Sequence, residues 1–134
     1  MPMSNAFAML DIAHSGLTMH QTWLDALAYN ISNVNTVRST SGPAFQAQYV
    51  VAQNVEGGGV RVAGVALGDP EGRVVNDPTN PLADADGNVR QPDIDMAAQM
   101  SELIMAQRGF QAQVQVAKNA EDVYASALSI GRGA

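Results

Sequence analysis

The sequence predicts a mainly α-helical chain with a small β insert, and three observations carry that prediction. Apolar residues recur at seven-residue spacing near the amino terminus. A second apolar stripe at three- and four-residue steps runs along the last forty or so residues. Between them lies a stretch rich in Gly, Pro and alternating apolar residues, which suits strands and turns rather than helix. The long terminal helices are expected to pack as a coiled-coil-like bundle, with residues 37–92 as a β-rich, extended segment.

The first helix is expected over 4–34. Met3, Leu10, Leu17, Leu24 and Ile31 form one row of a heptad seam, and Ala6, Ala13, His20, Leu27 and Val34 form the other. Only His20 is polar. Ser4 is the expected N-cap. Gly16 weakens the helix by about 1 kcal/mol relative to Ala but permits close backbone approach. Asn30, Asn33 and Asn35 favour caps and turns, so the helix should end near 33–36. Ser39-Thr40-Ser41-Gly42-Pro43 is a clear break.

In the middle, Phe45, Ala47, Tyr49 and Val51 alternate with Gln46, Gln48 and Val50, which reads as a strand. Gly57-Gly58-Gly59 reads as a turn, and Val60, Val62 and the run to Leu67 as the returning strand. Val74-Val75 reads as a short third strand. Pro78 and Pro81 block both helix and central strand, so 76–92 is expected to be an extended, turn-rich connector. Pro92 and Asp93 restart a helix, with Asp93 as cap. Its stripe comprises Met96, Met100, Leu103, Phe110, Val114, Ala117, Tyr124 and Leu128, broadened by Ile104 and Met105, and Gly131 is the expected stop. The expected organisation is 1–36, 37–92 and 93–134, with the first and last segments together forming one helical domain.

Composition narrows the function. Apolar residues make up 46% but aromatics only 5%, so Ala, Val, Leu and Met supply most of the apolar mass, as in helix seams. Only 15% is charged, against about 25% in ordinary globular domains, and such a surface is covered by protein neighbours at little desolvation cost. A net charge of −6 with basic residues scattered singly argues against nucleic acid. The absence of cysteine excludes disulfides and thiolate metal sites. No transmembrane span is expected, and Asp11 and His14 interrupt the only candidate signal-peptide core.

No residue cluster supports catalysis. Asp84-Ala85-Asp86-Gly87 has a calcium-loop flavour, but alignment on Gly87 puts Leu82 at the first ligand position, so an acidic Asx turn is the better reading. His14 and His20 are wrongly spaced for a zinc pair on a helix. The triple glycine lacks the Lys-Ser/Thr of a phosphate loop. No cofactor and no metal are expected.

Ile12-Ala13-His14-Ser15-Gly16-Leu17, with Asn30-Ile31-Ser32-Asn33-Val34-Asn35-Thr36 downstream, resembles the amino-terminal signature of the bacterial flagellar rod, hook and hook-associated proteins. Ser32 stands where that family usually has Ala. Asp77-Pro78-Thr79-Asn80-Pro81-Leu82-Ala83-Asp84 and Gln99-Met100-Ser101-Glu102-Leu103 through Gln113 are similar to blocks of its proximal rod members. Asn76, Asn80, Asn88, Gln99 and Gln113 depart from the residues commonest there. The resemblance spans nearly the whole chain. It implies a structural, non-enzymatic subunit of the periplasmic rod of the basal body, exported without a cleaved leader. The implied partners are other copies of itself, other proximal rod subunits, the adaptor joining the rod to the membrane ring, and the distal rod protein. The expected contact residues are Leu10, Leu17, Leu24, Leu27, Asn30, Ile31, Asn33 and Asn35 on the first helix and its end. On the second they are Met100, Leu103, Ile104, Phe110, Val114, Tyr124 and Leu128. The rival readings are a soluble coiled-coil adaptor forming a closed oligomer and a small enzyme using the Asp84/Asp86 turn.

Overall fold

A computed structural model describes the backbone of residues 2–133 and the side chains among them except those of 2–4 and 6. The expected seam positions Met3 and Ala6 therefore lie outside the described side chains. Two long helices, α1 (Pro2–Ser32) and α2 (Met96–Arg132), flank five strands. These are β1 (Arg38–Ser39), β2 (Gln48–Asn54), β3 (Val60–Leu67), β4 (Arg73–Asn76) and β5 (Asn88–Gln91). At 1.5 Å per residue the helices are about 46 and 55 Å long.

Helix α1 begins two residues before the expected cap at Ser4. Pro2 at the first position accounts for this, because its missing N–H is not needed there and its φ is already helical. The end is as expected: Asn33 N donates to Asn30 O at 3.1 Å and Thr36 N to Asn33 O at 3.0 Å, tightening the chain into turns. Helix α2 is capped by Asp95, not Asp93. The Asp95 carboxylate accepts from Ala97 N at 3.0 Å and Ala98 N at 3.4 Å. The reason lies one residue earlier, where buried Ile94 joins the core and holds the chain extended until Asp95. Gly131 does not stop α2, which runs to Arg132 with Gly133 at its end.

The helices are antiparallel. Phe7 meets Tyr124 with ring centroids 6.5 Å apart at one end, and Asn30 bonds Gln99 near the other. Along α1 the heptad rows are shielded as the spacing requires: Ala13 and Leu27 are buried, and Leu10, Leu17, Leu24 and Ile31 half-buried. The stripe assigned to α2 holds at Leu103, Phe110, Ala117, Tyr124 and Leu128 and is corrected elsewhere. The shielded line runs through Gln99, Leu103, Ala106, Phe110, Gln113, Ala117, Ala120 and Tyr124, whereas Met96, Met100, Ile104, Met105 and Val114 are exposed. The buried apolar residues of α2 are all alanine, Ala106, Ala117 and Ala120, while the larger Leu103, Phe110 and Tyr124 are half-buried beside them. The bulky Met, Ile and Val side chains are left outward.

Strands β2 and β3 form the expected hairpin, with Gly57, Gly58 and Gly59 all at positive φ in its tip. The register slips between Val51 and Ala52, a bulge that leaves Ala63 unpaired. One expectation fails here. Phe45 and Ala47 are not in a strand. They are buried in irregular backbone, where they pack with Ile94 and Val34, and the Phe45 ring lies 5.2 Å from that of Tyr29. Val74-Val75 forms a short strand, as expected. It belongs to β4 of a second, three-stranded antiparallel sheet in the order β1-β5-β4, in which Val89 is fully buried and pairs with Val75. The connector 76–92 therefore contains a strand, β5, hidden by the density of turn residues before it.

Those turns are built by aspartates. Asp84 Oδ1 accepts from Asp86 N and Asn88 N at 3.0 and 2.9 Å, and Oδ2 accepts from the Thr40 hydroxyl at 2.7 Å. The Asn88 amide foremost, then the Thr40 hydroxyl, holds the carboxyl below its ordinary pKa of 3.8. A lowered folded pKa means stability that is present above the ordinary value and lost as pH falls through the folded one. Thermal melts of the wild type and Asp84→Asn should therefore differ by a constant gap from neutral pH down to about 3.8. Below that the gap should narrow; a gap that widened with acid would contradict the assignment.

Candidate assembly interface

The helix pair is held to the β segment by side chains of the two amino-terminal motifs. Asn30 is fully buried. Its amide nitrogen donates to Gln48 O at 2.8 Å and Gln99 Oε1 at 3.1 Å, and its Oδ1 accepts from Gln48 N at 2.7 Å. The side chain thus pairs with β2 as a neighbouring strand would, and with α2 at the same time. Asn33 and Thr36 close the helix end, Asn33 donating to Tyr29 O at 2.9 Å and accepting from Thr36 Oγ1 at 3.0 Å.

Ser15 does a similar job one-half helix away. Its hydroxyl donates to Ile12 O at 2.7 Å and accepts from Val60 N at 3.1 Å, where the hairpin leaves its tip. Gly58 lies against Ile12 and Gly59 against Ser15, so the hairpin tip rests on α1. The hairpin is anchored at its root by Asn30 and at its tip by Ser15. Neither role was legible in the sequence, where Ser15 had no assigned function. The recurrence of polar residues on the shielded side of a helix was the available signal.

The expected contact residues separate into three groups. Leu27 and Asn30 are buried within the chain and act on assembly only through the fold they hold. Leu10, Leu17, Leu24, Ile31, Asn33, Leu103, Phe110, Tyr124 and Leu128 are half-buried. Asn35, Met100, Ile104 and Val114 are exposed, as are Phe7, Met9, Ile12 and Ile130, which the heptad reading had not singled out. Beside the helix pair Trp23, Leu27, Tyr49, Val50, Glu102 and Met105 line an open, largely apolar groove at the root of the hairpin. A monomer that exposes this many large apolar side chains on two long helices has the surface of an assembly subunit.

A family model described as flagellar basal body rod FlgEFG protein C-terminal matches residues 85–130. A flagellar basal-body rod protein FlgC of Yersinia enterocolitica is 36% identical over 129 residues, covering 92% of this chain and 96% of the relative. The chain belongs to the FlgC family of flagellar basal-body rod proteins. An FlgC of Escherichia coli is 34% identical over the same length, and that of Bacillus subtilis 26% over 148 residues, covering 99% of the relative. FlgC proteins are structural, and this chain is not an enzyme. Among the described residues no group of three or more His, Asp or Glu is placed to hold a metal ion, and no helix is long and apolar enough to cross a membrane.

For an FlgC chain the Asn30 amide is the side chain whose loss should be felt most. Asn30→Ala leaves the Gln48 backbone and the Gln99 amide without partners. Urea unfolding should show a loss of about 2–4 kcal/mol, from the desolvation of those groups. Asn33→Ala, with partners near solvent, should cost about 1 kcal/mol or less. Equal losses would show that Asn30 is not the pin.

Proposed function

We infer that this chain, a structural subunit of the flagellar basal-body rod, builds the rod through the apolar side of α2 that its own α1 leaves uncovered. The observation that supports this reading most is the row Met96, Met100 and Ile104, exposed at one-turn spacing on a helix whose opposite side is already occupied. Rod subunits assemble with other copies and other rod components, and a second helix laid along that row would complete a coiled-coil-like bundle. Leu10, Leu17, Leu24, Ile31, Leu103, Phe110, Tyr124 and Leu128 contribute the half-shielded margins, Val114 adds to the exposed side, and Asn33 and Asn35 form the polar end.

In this reading residues 1–36 and 93–134 form the inner helical domain, and 37–92 is an outer element that bridges to neighbours. The rod position is proximal, in the periplasm. The partners are other proximal rod subunits, the adaptor to the membrane ring and the distal rod protein. Export proceeds through the flagellar type III apparatus without a cleaved leader. Stiffness is the mechanical requirement of torque transmission, and laterally packed long helices supply it. A closed oligomer would need the same surface to be consumed by a point-group contact, giving one particle size where open helical contacts give fibres.

The test separates folding from assembly. Ile104→Asp changes an exposed side chain, so the monomer should keep its helix content and its melting temperature within about 2 °C. Placed in a subunit contact, the carboxylate has no partner, and its desolvation should abolish swimming in soft agar. Normal swimming by Ile104→Asp and Met100→Asp strains would remove α2's outer row from the interface. Discrete particles of one size from purified chain would favour the closed oligomer.

A further inference from the structure

We propose that two interlocked pairs, Gln113 over Gly16 and His20 over Gly109, are a register key that selects the one axial alignment of α1 on α2. The contacts are reciprocal. A Cβ on Gly16 would lie 2.7 Å from the Gln113 side-chain carbonyl group, and a Cβ on Gly109 would lie 2.6 Å from Cδ2 of His20. Real Cβ atoms do not approach that closely, so each glycine is a notch filled by a side chain of the opposite helix. The large residue is on α2 in the first pair and on α1 in the second.

The pairs are joined to each other. His20 Nδ1 lies 2.8 Å from Gly16 O, and since a carbonyl only accepts, Nδ1 carries the proton and the ring is held with its other edge on Gly109. Both pairs belong to the alignment in which Asn30 bonds Gln99. These two glycines, costly in the middle of long helices, thereby acquire a reason to be there.

The apolar part of the helix contact does not discriminate as sharply. Leu10, Leu17 and Leu24 face a side of α2 marked by Ala106, Ala117 and Ala120, and leucine on alanine tolerates a slide of one heptad. The key does not. A slide in one direction sets Gln113 opposite Met9 and His20 opposite Glu102; in the other, Gln113 meets Trp23 and His20 meets Val116. Neither alignment offers a notch to either side chain, so both are disfavoured by overpacking. An alignment error would also separate Asn30 from Gln99 and displace the hairpin that Asn30 holds.

The chain has no cysteine, so introduced thiols report alignment without interference. In the full chain, Phe7→Cys with Tyr124→Cys reports the native alignment, and Phe7→Cys with Ala117→Cys or with Gly131→Cys reports a slide of one heptad either way. Oxidised under identical conditions, the parent should favour the native cross-link. Gly16→Gln should lower that preference by about tenfold or more, and Gly109→Gln likewise. The deciding variant is the exchange Gly16→Gln with Gln113→Gly, which returns the knob from the other helix and should restore the parent's preference. Circular dichroism on each variant records whether helix is present. Retention of the native preference by both single variants would overturn the proposal. So would an exchange variant no better than Gly16→Gln alone, whether through sliding or through loss of helix.

Discussion

The arrangement depends on one buried carboxamide. Asn30 offers a donor and an acceptor to the backbone of Gln48 and a second donor contact to Gln99, so a single side chain joins α1, β2 and α2. A hydrophobic residue there would pack equally well and specify nothing about where the hairpin begins. Because a buried amide left unpaired costs more than its pairing gains, the position rewards only the arrangement in which all three elements meet. The small apolar cluster of Phe45, Ala47 and Ile94 lies beside it and is too small to dictate the fold alone.

The helices and the hairpin were legible because they follow simple periods. A seven-residue row of leucines and a pair of strands about a triple glycine leave little choice of element. What stayed hidden did so for a common reason: it depends on contacts between distant segments. The strand β5 exists because Asn88–Gln91 finds partners on both sides, although the prolines and aspartates before it read as loop. Phe45 and Ala47 show strand-like alternation yet serve as core, since Ala44 and Gly68 take up their neighbours' backbone groups: Ala44 N donates to Pro70 O and Gly68 N to Ala47 O, both at 2.8 Å. On α2, size misled. Met100, Ile104 and Val114 look like core and are exposed, while the buried positions are Gln99 and three alanines, Ala106, Ala117 and Ala120.

That inversion connects fold to function. A soluble helix pair ordinarily turns its largest apolar residues inward. Here α1 already fills the space between the axes, and the Met and Ile side chains of α2 face away from it. For the assembly proposed above this is a division of labour. The small residues let two helices of one chain approach closely, and the large ones remain available to a lattice of neighbours. Methionine suits a surface that must meet more than one kind of partner, because its unbranched side chain adapts to irregular gaps.

The hairpin has a mechanical consequence. It is fastened to α1 at Gln48 through Asn30 and at Val60 through Ser15. The helix between Ser15 and Asn30 spans about 22 Å, and β2 from Gln48 to Asn54, the partner of Val60, spans about 20 Å, so helix and hairpin run between two fixing points of similar separation. Two members of matched length joined at both ends form a laminate. Curving such a beam stretches one layer and compresses the other, and the resistance grows with their separation rather than with the strength of either alone. The strand, inextensible compared with a helix that lengthens by opening hydrogen bonds, is the stiff lamina.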